Sequence, residues 1–463
     1  MKDHPADPLA DLRALLGEAH VLTGDATDRF ARDWTGKWRA DPLAVVRPAS
    51  TAEVAEVVKL AARHDMSIVP VGGNTGLVGG TANQGALMIS FERMAAIREV
   101  RPQAGLAIVE AGAILSDIHD AVGEHDLIFP LTFGARGSAR VGGFLSTNAG
   151  GSNVVRYGPT RGLVLGLEVV LADGRVLDLM SGLRKDNSGY DLRDLFIGGE
   201  GTLGIITAAV LRLAPKPKHH ATAFAAVRDL PASLRLLRKL QEASDGAVEA
   251  FEYMPRSYMK ELAKHRADLR QPFEIHDHAV MIDMGGLSRP LDDVLEQVLA
   301  EAADTGDVLD AMIAQNEAQR AFIWEMRETA AEITFTRLPI VDNDVALPLD
   351  GVESFIDTML ARLRDLDAEA DHLICAHLGD GNIHLTVYPT SDDPAHLDTI
   401  REMIEEVTVS LGGSISAEHG IGLSKLTTMG RRKDPVALDV MRAVKQALDP
   451  DNRLNPGKVL PRG

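Results

Sequence analysis

Three glycine-rich segments constrain the fold of this 463-residue chain more than any other feature. The first, residues 70–80, reads PVGGNTGLVGG and has five glycines in eleven residues. Glycine lets the backbone turn its N–H groups inward and lets a ligand approach closely, so such a loop suits a pyrophosphate. No Gly-Lys-Ser/Thr follows, so the segment is not a P-loop, and an ordinary turn explains it equally well when it is taken alone.

The other two segments are residues 141–151, VGGFLSTNAGG, and residues 198–204, GGEGTLG. The latter contains G-x-G-x-x-G, which in a nicotinamide-binding fold opens a helix and is followed by a ribose-binding carboxylate. Here alternating residues up to Pro215 predict a strand, and no acidic residue lies between Gly201 and Arg228. We therefore reject the nicotinamide-type fold and expect three glycine loops at the ends of strands, holding a long cofactor that lies across one domain.

The composition is that of a globular protein that avoids polyanions. Hydrophobic residues make up 45% of the chain, and 48 basic against 67 acidic residues give a net charge of −19, which argues against DNA, RNA or an anionic membrane as a partner. The single cysteine, Cys375, excludes an intrachain disulfide or a cysteine cluster and fits a reducing cytosol. Because the N-terminal residues lack the apolar run of a signal peptide and no stretch is apolar enough to span a membrane, we expect a cytoplasmic protein.

The best domain boundary is the segment PKPKHH, residues 215–220, where a strand ends and two prolines stop both helix and sheet. We predict an N-terminal α+β domain over residues 1–217, with a core of about 40–215. The C-terminal α+β domain is predicted over residues 218–463, and its last segment, 436–463, is expected to pack back on the first domain. Local patterns predict helices over residues 9–16, 50–64 (with Ser50 and Glu53 as a capping box), 227–244, 316–336 and 436–448, a strand over 67–71 and a hairpin over 166–179 around Asp173-Gly174.

A second group of motifs lies in the C-terminal half. In HLGDGNIH, His377 and His384 stand at either end of a turn that two glycines permit, so both imidazoles can converge. The later segment SAEHGIG carries Glu418 and His419. Because adjacent residues on an extended chain point to opposite faces, we expect Glu418 to join the two histidines while His419 faces elsewhere. Two histidines and one carboxylate with an open position form a catalytic site for zinc or a similar divalent ion.

The chemistry of such a site is consistent with alcohol oxidation. A metal bound to an alcohol oxygen lowers its pKa, and a nearby neutral histidine can take the proton. A lone histidine is more often a structural residue, but two in one glycine turn together with Glu-His-Gly weaken that alternative. Asp380 is equally well a partner of a metal ligand or a turn residue.

Together these motifs resemble the FAD-linked oxidases of the vanillyl-alcohol oxidase superfamily, in the branch of D-lactate, glycolate and D-2-hydroxyglutarate dehydrogenases. The resemblance covers nearly all of the chain past residue 40. It implies an α+β, two-domain flavoprotein of the vanillyl-alcohol-oxidase type, with an N-terminal FAD-binding domain and a C-terminal substrate (cap) domain of antiparallel sheet and helices. PVGGNTGLVGG resembles the pyrophosphate loop, GGFLSTNAGG and GGEGTLGII resemble loops around the adenosine and flavin, and NPGK, residues 455–458, resembles the terminal flavin contact.

The residues that this resemblance assigns to FAD are Gly72, Gly73, Asn74, Thr75, Gly76, Gly79, Gly80, Pro130, Thr132, Gly142, Gly143, Thr147, Asn148, Gly150, Gly151, Glu200, Gly201, Gly204, Ile205, Ile206 and Asn455. Some superfamily members attach FAD through a histidine in the first loop. Residues 68–85 contain no histidine here, so we expect dissociable FAD.

The resemblance also implies the roles of the site residues. His377, His384 and Glu418 would be metal ligands and His419 the base. Asn382 and Lys425 would contact the substrate. Arg327, in WEMRE, matches the arginine that the family offers to the substrate carboxylate, with a helix-surface salt bridge as the alternative.

The implied reaction is the oxidation of a D-2-hydroxy acid to a 2-oxo acid. The metal and Arg327 anchor the C1 carboxylate, His419 removes the hydroxyl proton and the Cα hydride passes to flavin N5. Expected partners are the hydroxy acid and an electron acceptor such as an electron-transfer flavoprotein or a quinone, and a homodimer is compatible with the sequence. The rival functions are an oxidase that returns electrons to oxygen and a flavin-binding electron carrier.

The choice of hydroxy acid rests on a second carboxylate pocket. As we align it, the hydroxyglutarate branch has a threonine and a lysine where this chain has Ala331 and Asp342. Arg337, Lys425 or Asn382 are left to supply that pocket. D-2-hydroxyglutarate is the leading candidate, and D-lactate or glycolate are the alternatives.

Overall fold

The structure is a computed structural model that describes residues 7–462. Residues 1–6 and Gly463 lie outside the described residues. They include the outermost ends of the two predicted domains and the first residues of the N-terminal segment that we searched for a signal peptide. The described chain forms two compact units. The first contains the residues up to Ala149, Pro159–Pro215 and the residues from Glu418 onward, and the second contains Gly150–Gly158 and Lys216–Ala417.

The main boundary thus falls at Pro215–Lys216, inside the PKPKHH segment on which the sequence prediction relied. Two features were not predicted. The short segment Gly150–Gly158 belongs to the second unit although it lies within the sequence of the first. The C-terminal segment of the first unit begins at Glu418 rather than at residue 436.

The strands are, in chain order, β1 Val21–Leu22, β2 Ala44–Val46, β3 Ile68–Val71, β4 Leu87–Ser90, β5 Ile97–Arg101, β6 Leu106–Glu110, β7 Leu127–Ile128, β8 Val164–Val170, β9 Val176–Leu179, β10 Ile205–Arg212, β11 Ala214–Pro215, β12 His219–Val227, β13 Val248–Tyr253, β14 His278–Gly286, β15 Val308–Ile313, β16 Val341–Ala346, β17 Asp371–His377 and β18 Asn382–Tyr388.

The α-helices are α1 Pro8–Leu16, α2 Thr51–Arg63, α3 Leu115–Gly123, α4 Val141–Thr147, α5 Val154–Tyr157, α6 Arg193–Phe196, α7 Leu230–Ala243, α8 Arg256–His265, α9 Asp292–Asp304, α10 Glu317–Glu328, α11 Ala330–Thr334, α12 Val352–Leu366, α13 Pro394–Ser410, α14 Leu426–Arg432 and α15 Pro435–Leu448. Short 3-10 helices lie at Glu18–His20, Gly24–Phe30, Pro102–Ala104, Thr160–Leu163 and Leu349–Gly351. Within residues 7–462, no helix combines the length and the apolar composition that crossing a membrane requires.

The first unit contains a small mixed sheet of order β1-β2-β4-β3, in which β2, β4 and β3 run parallel. Helix α2 packs its apolar stripe against this sheet, with Val54, Val57 and Val58 in one core with Ile68 and Leu87. Its N-terminus is capped as predicted, because Ser50 Oγ accepts from Glu53 N (3.2 Å) while Glu53 Oε2 accepts from Ala49 N (2.7 Å).

A five-stranded antiparallel sheet of order β5-β6-β10-β8-β9 follows in the same unit, together with the short pair β11-β7. The predicted hairpin is β8–β9, and Gly174 takes a φ of 81° in its turn. Strand β10 begins directly after the third glycine segment, as expected from its alternating residues. The prediction that all three glycine segments end strands is wrong, however, because only the first follows a strand, β3. Most of the second lies in helix α4.

The second unit is built on a seven-stranded antiparallel sheet of order β15-β12-β14-β13-β17-β18-β16. Helices α7, α9, α12 and α13 pack on one face of this sheet, and α8, α10 and α11 pack on the other. The predicted helix over residues 316–336 is in fact two helices that meet at Thr329. Thr329 Oγ1 donates to Glu325 O (2.6 Å), a side-chain bond to the preceding turn that often bends a helix.

Candidate active site

Four polar side chains lie in a row on one face of the seven-stranded sheet. Its strands β13, β17, β18 and β16 are neighbours, and they carry Glu252, His377, His384 and Asp344 respectively. Their apolar neighbours, such as Ile383 on β18, belong to the core under α12 and α13. Since side chains alternate along a strand, the polar residues point to the opposite face, toward α8 and α10. The sheet order therefore collects residues that are up to 132 positions apart, from Glu252 to His384 (384 − 252), into one site.

The two histidines of HLGDGNIH converge as the glycine turn suggested. Their ring centroids are 5.4 Å apart, and the rings meet edge to face. The turn depends on Gly381, which has a φ of 82° and whose Cβ, if present, would lie 2.2 Å from Leu347 O. Asp380 Oδ1 accepts from Asn382 N (3.1 Å), so Asp380 is placed as a turn residue.

Asp344 is a functional candidate that the sequence analysis did not identify. It pairs directly with His384 across β16 and β18, and one carboxylate oxygen and one ring nitrogen of the two lie within 4.8 Å of each other. Imidazole and carboxylate are suitable ligands for zinc and similar ions. Asn382 is buried and its amide donates to Asp344 Oδ1 (2.9 Å) and Val345 O (3.1 Å), so this predicted substrate contact supports the site from within the sheet.

Glu252 was also missed. Its side chain is fully buried, its two carboxylate oxygens lie 2.8 and 2.9 Å from His377 Nδ1, and one of them accepts from Arg327 Nε (2.7 Å). Burial raises the pKa of the Glu252 carboxyl, but the charges and hydrogen bonds of His377 and Arg327 outweigh it and lower the pKa to about 2. Glu252 is therefore an anion at neutral pH. The strand VEAFEY carries two carboxylates, Glu249 and Glu252, among apolar residues, and carboxylates in such a strand are the signal by which Glu252 could have been found.

Arg327 lies at the C-terminal end of α10 and is only 8% exposed. This excludes the alternative of a helix-surface salt bridge with residues near Glu328, because its partner is the buried Glu252. Tyr258 OH donates to Met326 O (2.7 Å) and fixes this end of α10 over the sheet. One edge of the guanidinium is thus engaged inside the protein.

The remaining predicted site residues lie in the first unit. Glu418 and His419 occupy a bend rather than a strand, and His419 Nε2 is 3.9 Å from Glu418 Oε1. The expectation that the two side chains point to opposite faces is therefore wrong. The chain bends at these residues, so the extended geometry on which that expectation depended is absent. Lys425 follows in the same loop, and its backbone N donates to Ile421 O (3.1 Å).

Glu200, predicted to contact FAD, holds this loop. Its two carboxylate oxygens accept from Ile421 N (2.7 Å) and Gly422 N (2.8 Å). Burial raises the pKa of the Glu200 carboxyl above its ordinary value, although these two N–H groups lower it. On the other side of the loop, Val78 O accepts from Leu423 N (2.9 Å) and Ser424 N (3.1 Å).

The glycine segments of the first unit pack closely on one another. A Cβ on Gly73 would lie 2.0 Å from Ser138 O, and one on Gly72 would lie 3.3 Å from the backbone of Gly143. A Cβ on Gly76 would meet no atom of the described residues within 4 Å, so this part of the first loop is not packed against them. Asn455 Nδ2 donates to Gly80 O and Glu200 O, but its buried Oδ1 has no hydrogen-bond partner among residues 7–462.

These features fit the requirements of a dinucleotide: an open glycine loop and an orphaned amide acceptor. Most residues assigned to FAD by resemblance lie in the first unit, but Gly150 and Gly151 lie in the second. Pro130 and Thr132 follow β7.

Comparison with protein families identifies the class. Residues 42–180 match the model of an FAD binding domain, and residues 216–459 match that of the C-terminal domain of FAD linked oxidases. The chain belongs to the FAD-linked oxidases, a family of FAD-dependent oxidoreductases.

Within this family, the chain is similar to proteins that are named for reactions of D-2-hydroxyglutarate. The chain is 38% identical to the mitochondrial D-2-hydroxyglutarate dehydrogenase of Bos taurus, with 98% of this chain and 84% of the relative covered. It is 35% identical to D-2-hydroxyglutarate dehydrogenase of Xanthomonas citri pv. viticola (93% and 92% covered). It is 32% identical to a D-2-hydroxyglutarate–pyruvate transhydrogenase of Saccharomyces cerevisiae (98% and 94% covered).

Solved structures agree on the fold. p-Cresol methylhydroxylase with bound substrate superposes with a TM-score of 0.75 at 18% identity, covering 97% of this chain and 96% of that one. The 4-ethylphenol oxidase of Gulosibacter chungangensis gives 0.74 at 20% identity (98% and 97% covered). The predicted two-domain α+β fold of the vanillyl-alcohol-oxidase type is confirmed.

Proposed function

We propose that this protein is an FAD-dependent D-2-hydroxy acid dehydrogenase whose leading substrate is D-2-hydroxyglutarate. The observation that carries the proposal is the row of Glu252, His377, His384 and Asp344 beside Arg327, in a chain whose relatives are named for this oxidation. The row supplies nitrogen and oxygen ligands for a divalent ion, and Arg327 supplies a cation for a carboxylate. An electron carrier without substrate chemistry has no need of such a set.

The metal site proposed is His377, His384 and Glu418, with zinc as the leading ion. Ala417 N donates to Asp344 O (3.2 Å), and Glu418 is the next residue in the chain, which supports its inclusion. Asp344 is an added ligand or a partner of His384. When bound, the metal would lower the pKa of the substrate hydroxyl. His419 then accepts the hydroxyl proton, and Arg327 and Lys425 hold carboxylate charge.

FAD is proposed to bind without a covalent link, since no histidine occurs in residues 68–85. The loop of residues 72–80 with Gly142, Gly143 and Asn455 would hold it. Bound FAD supplies the acceptor for a hydride equivalent. The electron acceptor (an electron-transfer flavoprotein or a quinone), a homodimer and a cytoplasmic location stay predictions.

The preference for hydroxyglutarate depends on which residue binds its second carboxylate. Ala331 is exposed, and Asp342 accepts from Thr386 Oγ1 (2.7 Å). Arg337 pairs with Asp371 and stacks 3.8 Å from the centroid of the Tyr388 ring, so it is already engaged. The amide N–H groups of Asn382 are engaged as well, by Asp344 and Val345, so Lys425 remains of the residues considered from the sequence. D-lactate or glycolate therefore stays the second candidate.

The test is the ratio of kcat/KM for D-2-hydroxyglutarate and D-lactate, measured by flavin bleaching under argon. We expect the higher kcat/KM for D-2-hydroxyglutarate. A site built for a monocarboxylate would reject this acid, because burying its second carboxylate without a partner is costly. If D-lactate wins by more than roughly tenfold, about 1.4 kcal/mol, the dicarboxylate proposal is abandoned. Reoxidation of the reduced enzyme by oxygen, compared with a dye acceptor in stopped flow, separates an oxidase from a dehydrogenase.

A further inference from the structure

Glu252 has an arrangement that its burial alone does not explain. It is fully buried, and its carboxylate contacts two groups at once, the His377 ring and the Arg327 guanidinium. A buried carboxylate needs a counter-charge, which Arg327 already provides. The second polar partner on the same carboxylate, the His377 ring, therefore calls for a reason of its own.

The contact with Glu252 affects which nitrogen of the His377 imidazole carries the proton. Arg327 Nε donates to one oxygen of the carboxylate, and both oxygens lie within hydrogen-bond distance of His377 Nδ1, so we assign Nδ1 as the donor of that hydrogen bond. In that tautomer the other nitrogen, Nε2, is the acceptor of the ring. A ligating histidine normally donates its second N–H to such a carboxylate, which fixes the tautomer and raises the basicity of the ligating nitrogen.

We infer, on the basis of the proposed metal-dependent function, that Glu252 is a positioning residue that holds His377 in the tautomer with Nε2 available for the metal. The same carboxylate takes Nε of Arg327 (2.7 Å), so it also fixes the plane of the guanidinium, whose Nη2 lies 3.5 Å from His377 Nδ1. One buried anion thereby sets both a metal ligand and the anion-binding arginine.

A purely structural role is the competing explanation, and the same unit provides a control. Asp307 is also buried and is bound by both Arg235 Nε (2.9 Å) and NH2 (2.7 Å), but it has no histidine partner among the described residues. Asp307→Asn therefore removes a carboxylate–arginine pair without touching the row on the sheet.

The experiment measures Zn²⁺ affinity of the FAD-loaded protein by competition with a chelator, with thermal stability measured in parallel. We expect Glu252→Gln to weaken Zn²⁺ binding about 10- to 100-fold, the usual loss when the partner of a ligating histidine is removed. Glu252→Asp, which keeps the charge but retracts it by one methylene, should recover part of that loss. Asp307→Asn should lower the melting temperature and leave Zn²⁺ affinity unchanged.

The possible results distinguish a failure of the proposed metal site from a failure of the role inferred for Glu252. Wild-type protein that binds no Zn²⁺ contradicts both the proposed metal site and this inference. If wild-type and Glu252→Gln bind Zn²⁺ equally well, only the inference fails. Should Glu252→Gln not fold, Glu252→Asp decides, and an affinity equal to that of the wild type overturns the positioning role.

Discussion

The carboxylate of Glu200 accepts two consecutive backbone N–H groups of the loop that carries His419. A side chain that satisfies two buried donors fixes the local backbone, and the glycines at positions 420 and 422 allow the backbone to take that shape. A Cβ on Gly420 would lie 2.8 Å from Glu200 Oε1, so the loop and the carboxylate are matched closely. The position of the proposed base therefore depends on a residue that the sequence assigned to FAD.

We expect Glu200→Gln to lower the free energy of unfolding by about 1–3 kcal/mol, because one buried N–H would face an amide donor instead of an acceptor. It should also lower kcat, but by less than the roughly 10²-fold or greater loss expected for His419→Ala, a typical contribution of a general base. Denaturant titration and steady-state turnover measure the two effects.

Glu110→Gln is the matched control, since Glu110 also accepts from a backbone N–H, that of Ala96 (2.9 Å), in the same unit. It should leave kcat unchanged. Unaltered kcat and stability in Glu200→Gln would remove Glu200 from the support of the loop.

At the scale of elements, the first glycine loop combines close packing with open space. A Cβ at Gly73 would collide with the backbone at Ser138, whereas one at Gly76 would have no neighbour within 4 Å in the part of the chain that the structure describes. The two glycines are thus required for different reasons if FAD occupies this loop. Gly73 serves the packing of loop against loop, and Gly76 serves the approach of the ligand.

We expect Gly73→Ala to destabilise the FAD-free protein and to weaken FAD binding. Gly76→Ala should leave the melting temperature of the FAD-free protein unchanged and still weaken FAD binding by at least about tenfold, or about 1.4 kcal/mol. Thermal melts without FAD and a flavin fluorescence titration distinguish the variants. Normal FAD affinity in Gly76→Ala would place the cofactor away from this part of the loop.

At the scale of the whole molecule, the predicted cofactors belong to different sequence regions and should be separable. The FAD-binding domain matches residues 42–180, whereas the two candidate metal-ligating histidines lie on β17 and β18. Removal of one cofactor therefore need not remove the other.

We expect acid precipitation to release the flavin into solution, as non-covalent binding requires, and a chelator to abolish turnover while the flavin absorbance stays with the native protein. Elemental analysis should find about one divalent metal per chain before chelation, the number expected of a single three-ligand site. Absorbance that stays with the precipitate contradicts the non-covalent binding of FAD. Full activity of metal-free protein contradicts the metal site.

The sequence by itself determined the features that depend on near neighbours along the chain. The helix α2 with its cap, the hairpin β8–β9 and the strand β10 all follow from local periodicity and turn residues. The convergence of His377 and His384 follows from one glycine turn, and the order of the glycine motifs was specific enough to indicate the family and hence the fold.

Only the tertiary structure decided which distant residues share a face. Glu252 and His377 are 125 positions apart in the sequence and meet because β13 and β17 are neighbours in the sheet, an order that no local pattern encodes. The same sheet pairs Asp344 with His384 and buries Arg327 on Glu252. Strand order is set by the packing of the whole core, so the partners of a catalytic side chain become visible only once the sheet is formed.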